Sequence, residues 1–237
     1  MHYWFITGTG SGLGKAIAET VLQNTNAFVF GISRHSTIDH ERYLHSHADL
    51  ANTDDVVNYN FDQCENADSI ILINNAGTLG KIDHADNIEP EIIIKTYQLN
   101  CISPHILISK FIKQFKDRNC KKVIINISSG AANSPYDGWS MYCATKAALQ
   151  MMTLCVAREQ ELTGNKIKLL SLAPGVMDTK MQEEIRATGE DVFSKKNKFV
   201  DLKKNQQLYD IQEVAKKISD IVEHTSINSE TIQRIVI

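Results

Sequence analysis

The stretch Thr7-Gly8-Thr9-Gly10-Ser11-Gly12-Leu13-Gly14 joins an apolar run, Tyr3–Thr7, to an amphipathic helical pattern, Leu13–Gln23. Its position matters more than its glycine content. A glycine-rich turn between a strand and a helix lets the backbone approach an anion closely. It also aims the first helical N–H groups at that anion. Strand, turn and helix in this order form a βα unit suited to a pyrophosphate. The candidate contacts are Gly8, Ser11, Gly12, Leu13 and Gly14.

The same alternation continues along the chain. Short β-branched runs at Ala27–Ser33, Leu44–Asp49, Ser69–Asn74, Lys122–Ser128, Lys166–Ala173 and Thr231–Ile237 are predicted strands. Helical patterns lie near Thr53–Cys64, Pro90–Leu99, Ser103–Phe115, Ser140–Glu161 and Ile211–His224. Runs such as Ile70-Ile71-Leu72-Ile73 are apolar on both faces, as in a parallel sheet covered by helices on each side. The pattern predicts a single α/β domain over 1–237, a doubly wound, Rossmann-like parallel sheet. Only Asp178–Gln207 breaks the rhythm. It is lysine-rich and weakly periodic, and it reads as a mobile flap over a site.

Composition excludes several classes. The chain has 237 residues, 25 Lys+Arg and 28 Asp+Glu, a formal net charge of −3, and 43% hydrophobic residues. That balance does not suit a protein that neutralises nucleic-acid phosphates. Lys195, Lys196, Lys198, Lys203 and Lys204 form a basic patch that reads as a solvated face of the flap. No apolar run is long enough to span a membrane, and no signal peptide is expected. The cysteines Cys64, Cys101, Cys120, Cys143 and Cys155 are odd in number and never spaced C-x-x-C. Free thiols in a reducing cytoplasm are therefore expected, and no metal site. His40, between the second and third strands, and His45 and His47, on one face of the third, lie away from the expected chemistry and do not alter that reading.

The end of the second strand bears on which dinucleotide binds. An acid there would bind an adenosine ribose 2′-OH. This chain has Ser33 followed by Arg34. Without a carboxylate a 2′-phosphate is not repelled, and a guanidinium can fork onto it. The expectation is NADP(H).

Tyr142 and Lys146, four apart, share one face of a long helix. A nearby ammonium stabilises a phenolate and is expected to lower the tyrosine pKa. The hydroxyl can then pass a proton to a carbonyl oxygen. Ser129 follows another strand end, where a parallel sheet opens its ligand crevice. Asn75-Ala76-Gly77 and Pro174-Gly175 follow two more.

Taken together, Thr7-Gly8-x-x-x-Gly12-x-Gly14, Asn74-Asn75-Ala76-Gly77, Asn100, Ser129, Tyr142-x-x-x-Lys146 and Pro174-Gly175 resemble the short-chain dehydrogenase/reductase family over essentially the whole chain. The resemblance implies seven strands in the order 3-2-1-4-5-6-7. It implies Tyr142 as general acid and Ser129 as the group that positions the carbonyl. Lys146 would bind the nicotinamide ribose and tune Tyr142, with Asn100 supporting a water-linked proton relay. It implies an adenine contact at Asp49-Leu50 and a carboxamide contact at Thr179, beside Val176.

Within the family, Asn75-Ala76-Gly77-Thr78-Leu79-Gly80, Gly138-Trp139-x-x-Tyr142-Cys143 and Ala173-Pro174-Gly175-Val176-Met177-Asp178-Thr179-x-Met181-Gln182 are similar to the sepiapterin reductase and benzil reductase group. That likeness implies NADPH-dependent reduction of vicinal dicarbonyl compounds, with Trp139 and Met181 beside the substrate. Sepiapterin reductases carry an aspartate near the C-terminus, whereas no Asp lies beyond Asp220 here, which favours the benzil type. Phe193 and Phe199 either line a substrate pocket or hold the flap down. The small and Met-rich face of the long helix implies a homodimer or homotetramer. The rivals are a sepiapterin-type pterin reductase, a non-catalytic NADP(H)-binding regulator and an NAD-dependent alcohol dehydrogenase.

Overall fold

A computed structural model describes residues 1–237. Seven parallel strands form one sheet: β1 (His2–Thr7), β2 (Phe28–Ser33), β3 (Tyr43–His47), β4 (Ser69–Asn74), β5 (Lys121–Ile127), β6 (Ile167–Ala173) and β7 (Ile232–Arg234). Their order, β3-β2-β1-β4-β5-β6-β7, is the one implied by the family resemblance. The helices are α1 (Gly12–Asn24), α2 (Thr53–Asn58), α3 (Pro90–Tyr97), α4 (Ser103–Phe115), α5 (Ser140–Thr163), α6 (Lys180–Ala187), α7 (Lys196–Lys204) and α8 (Ile211–His224). None is long and apolar enough to cross a membrane.

The two-sided apolar strands explain the layering. On β1, Trp4 and Ile6 pack with α1 and α8, while Phe5 faces the opposite layer with α4 and α5. On β4, Ile71 and Ile73 join the first core, and Ile70 and Leu72 the second. The second core is aromatic, with Phe5 stacked 4.8 Å from Phe30 and edge-on to Phe61 at 4.9 Å. Because every strand runs the same way, Thr7, Ser33, Asn74, Ile127 and Ala173 all end at one rim.

Three expectations change at element ends. Helix α2 stops at Asn58 rather than Cys64, because Tyr59 and Phe61 turn into the second core with exposed Asn60 between them. That alternation is extended, and asparagine competes poorly for helix. Strand β7 is three residues long rather than seven, although Ile235 N–H still donates to Ala173 O at 2.9 Å. The flap Asp178–Gln207 contains α6 and α7. Few of their side chains are buried (Gln182 and Ile185 in α6, Phe199 in α7), so little helical periodicity reaches the sequence. All five cysteines are unpaired.

The glycine turn is held against the strand beside it. Thr7 Oγ1 accepts from the N–H groups of Asn75 and Ala76, both at 2.9 Å, and Asn75 Nδ2 donates to Thr7 O at 3.0 Å. A Cβ on Gly14 would lie 2.4 Å from Asn75 Nδ2 and 2.5 Å from Gly8 O. A side chain there forces the turn and the β4 end apart. Gly14→Ala is expected to cost about 1–3 kcal/mol in urea unfolding. Gly130→Ala, with nothing within 4 Å, should stay within about 0.5 kcal/mol. Equal effects would contradict the packing described.

Candidate active site

The rim gathers most of the residues singled out from the sequence. Tyr142 and Lys146 stand in the first two turns of α5, and only 7% and 5% of their surfaces are exposed. Ser129 follows β5; its hydroxyl accepts from Ala131 N–H at 3.1 Å and lies on the side of Tyr142. Lys146 Nζ donates to Ile127 O at 2.8 Å, which seats the amine on the end of β5, and lies 5.8 Å from the centroid of the Tyr142 ring.

Asn100 occupies a π-helical turn, Gln98–Ile102, between α3 and α4. Single π turns often mark functional positions, because the widened turn redirects a side chain. Here the Asn100 carboxamide grips the loop after β4. Its Oδ1 accepts from Thr78 N–H at 2.9 Å, and its Nδ2 donates to Thr78 O at 2.8 Å. The same Nδ2 donates to Thr145 Oγ1 at 3.1 Å, whose hydroxyl donates to Tyr142 O at 3.0 Å. One amide therefore ties the β4 loop to the helix that carries the phenol. Thr7, Thr78 and Thr145 were not among the expected site residues. Their spacing carries no periodic signal, and only the close approach of three elements gives them a role.

Electrostatics depart from the sequence expectation in one respect. Burial dominates at Tyr142 and raises its pKa above the usual 10, with the Ser129 hydroxyl acting the other way. Burial likewise lowers Lys146, to about 8. Removing both groups from water penalises both charged forms. Burial thus favours the neutral phenol, rather than the ammonium bringing it toward a phenolate.

At the other end of the rim, Ser33 Oγ donates to His35 O at 2.7 Å and meets Thr9 Oγ1 at 3.2 Å. His45 Nε2 lies 3.1 Å from Ser33 Oγ and 3.0 Å from Ser33 O. Arg34 is exposed, and its guanidinium makes no hydrogen bond or ion pair. Asp49 Oδ1 accepts from Ala51 N–H at 3.0 Å, with Leu50 buried beside it. Beyond β6, Gly175 has φ +85° with the Tyr209 ring packed against it, and Val176 O accepts from Tyr209 N–H at 2.9 Å. Thr179 caps α6, accepting from Gln182 N–H at 3.4 Å.

A third, smaller hydrophobic cluster surrounds the phenol: Leu79, Ala131, Trp139, Tyr142, Ile185, Phe193 and Phe199, with Met181 and Val176 packed on it. Trp139 stacks on Phe193 at 4.7 Å and meets Tyr142 edge-on at 5.6 Å. Phe193 and Phe199 are buried in this stack, so they hold the flap down. Polar contacts help. Ser194 donates from N and Oγ to Asp137 at 2.7 and 2.9 Å, and Asp178 pairs with Arg186 at 3.1 Å and with Lys203.

Two bare stretches of backbone border the rim. Gly12, at φ +58°, has nothing within 4 Å of where a Cβ would stand, which leaves the N-terminus of α1 open to an anion. A Cβ on Gly77 would stand 3.3 Å from Asn100 Oδ1 and 3.6 Å from Lys146 Nζ, so a bare backbone borders the polar groups.

Comparison with known proteins agrees with this geometry. The family model for short chain dehydrogenase matches residues 3–190. A benzil reductase ((S)-benzoin forming) of Bacillus cereus is 38% identical over 238 residues, covering 94% of each chain. The benzil reductase of Bacillus subtilis is 37% identical, covering 81% of this chain and 82% of its own. Bovine sepiapterin reductase is 33% identical and covers 70% of this chain, which in turn spans 61% of that protein. Among solved structures, the KRED1-Pglu enzyme superposes with a TM-score of 0.85 at 26% identity, over 98% of this chain and 100% of its own.

The depressed Lys146 pKa has a sign that can be checked. The folded chain binds fewer protons than the unfolded one between about pH 8 and the ordinary 10.5, so stability should rise with pH across that window. Below it, the buried ammonium costs roughly 3 kcal/mol, partly offset by about 1 kcal/mol from its hydrogen bond. Lys146→Met is expected to raise unfolding stability at pH 7 by about 2 kcal/mol and to flatten the alkaline rise. A variant less stable than wild type at pH 7 would contradict this.

Proposed function

Because the chain belongs to the short-chain dehydrogenase/reductase family, whose members bind nicotinamide cofactors, we propose that it is an NADPH-dependent carbonyl reductase acting on 1,2-diketones of the benzil type. The observation that carries this reading is a buried phenol beside Ser129, inside an aromatic cluster, with burial pushing its pKa up. The likeness to two benzil reductases supplies the substrate class.

Gly8, Ser11, Gly12, Leu13 and Gly14 hold the pyrophosphate through backbone N–H groups. Ser33 and Arg34 take the 2′-phosphate, since a free guanidinium suits a dianion. Asp49 and Leu50 border the adenine, and Asn75, Ala76 and Gly77 border the ribose. Lys146 holds the nicotinamide ribose, while Pro174, Gly175, Val176 and Thr179 support the carboxamide. The bound reduced nicotinamide supplies hydride to the carbonyl carbon.

The remaining chemistry belongs to side chains of this chain. Ser129 donates a hydrogen bond to the carbonyl oxygen. Tyr142 donates its proton to that oxygen as negative charge develops. One hydride and one proton convert the diketone to an α-hydroxyketone. Asn100 maintains the polar connection by which Tyr142 is reprotonated from solvent. Trp139 and Met181 flank the substrate. Exposed Ile94, Ile102 and Met151, on or beside α3 and α5, support self-association of two or four copies.

The experiment follows NADPH absorbance with benzil. Wild type should consume NADPH, and Tyr142→Phe should lose at least about 10²-fold in kcat while still quenching or shifting NADPH fluorescence on binding. Full turnover by the variant would refute the role of the phenol. Arg34→Ala should raise the KM for NADPH by about tenfold or more and leave that for NADH nearly unchanged. Equal effects would remove the 2′-phosphate reading.

A further inference from the structure

Five buried side-chain polar atoms have no hydrogen-bond partner: Tyr59 Oη, Asn74 Oδ1, Ser128 Oγ, Trp139 Nε1 and Ser171 Oγ. Three are hydroxyls, which rotate, and one is a carbonyl oxygen, which tolerates under-satisfaction better than an N–H does. Trp139 Nε1 differs. An indole N–H can only donate, and its ring is 95% buried. Its side chain also packs on the Tyr142 ring, edge-on at 5.6 Å.

A fixed donor without an acceptor costs stability, and packing alone does not require it, because phenylalanine would fill the stack against Phe193 without that cost. The partner has to be an acceptor that arrives beside the phenol. The oxygen being reduced is already served by Ser129 and Tyr142. A vicinal dicarbonyl brings a second oxygen one carbon away, with no group in those two hydroxyls to receive it. We propose that Trp139 Nε1 donates a hydrogen bond to this second, non-reacting oxygen, and so makes Trp139 a specificity-determining residue for 1,2-diketones over simple ketones. The assignment rests on the carbonyl-reductase reading above. Phe193 covers the indole from the segment between α6 and α7, so the N–H meets the substrate as that segment moves aside.

The test compares benzil with benzyl phenyl ketone, which keeps both rings and lacks the second oxygen. Each is assayed with NADPH on wild type and Trp139→Phe. The ratio of kcat/KM for benzil to that for benzyl phenyl ketone is expected to fall by about tenfold or more in the variant. Parallel losses on both ketones would overturn the assignment and leave Trp139 a packing residue. A second measurement does not depend on Trp139→Phe folding. In 15N-tryptophan-labelled wild type holding NADP+, the Trp139 Nε1–H resonance should move downfield on adding benzil and move less with benzyl phenyl ketone. The other tryptophan, Trp4, assigns the pair through Trp4→Phe. Equal movement with both ketones would overturn the proposal. Wild type that reduces neither ketone would instead bring down the carbonyl-reductase reading beneath it.

Discussion

Two ionisable groups buried one helical turn apart organise this protein. Tyr142 and Lys146 cannot both be taken out of water without a reason, since each loses hydration that its charged form needs. The fold meets the demand with fixed dipoles rather than counter-charges. Ile127 O receives the amine, the Ser129 hydroxyl faces the phenol, and Asn100 clamps the surrounding loop. The result is an amine whose pKa is pushed down to about 8 beside a phenol whose pKa is pushed up.

Everything else serves to bring these groups to one edge. Parallel strands with two apolar faces place five strand ends on a single rim. The Thr7–Asn75 and Thr7–Ala76 hydrogen bonds then tie the first turn to the end of the fourth strand. The segment 178–207 packs against the phenol through the Trp139, Phe193 and Phe199 stack, with Asp137 and Asp178 as polar anchors.

Much of this was legible in the sequence, for identifiable reasons. Runs such as Ile70-Ile71-Leu72-Ile73 announce a doubly covered parallel sheet because both faces must be apolar. The glycine turn and Tyr142-x-x-x-Lys146 are local, so spacing alone fixes which side chains meet. What the sequence hid is non-local. Thr78 and Thr145 acquire their roles only because Asn100 lies in a widened turn between them. Helices α6 and α7 leave little periodic trace because so few of their side chains are buried. The electrostatic balance at Tyr142 is hidden for the same reason. Spacing reports that an ammonium is near, but the depth of burial, which outweighs it, is a property of the folded chain.

The central claim is that the fold keeps Tyr142 protonated. Tyrosine labelled with 13C at Cζ, compared between wild type and Tyr142→Phe to assign the signal, reports its titration directly. The Tyr142 signal should titrate with a midpoint above the ordinary 10 and stay that of the neutral phenol at neutral pH. A phenolate forming near neutral pH would contradict the account and mark the residue as a base.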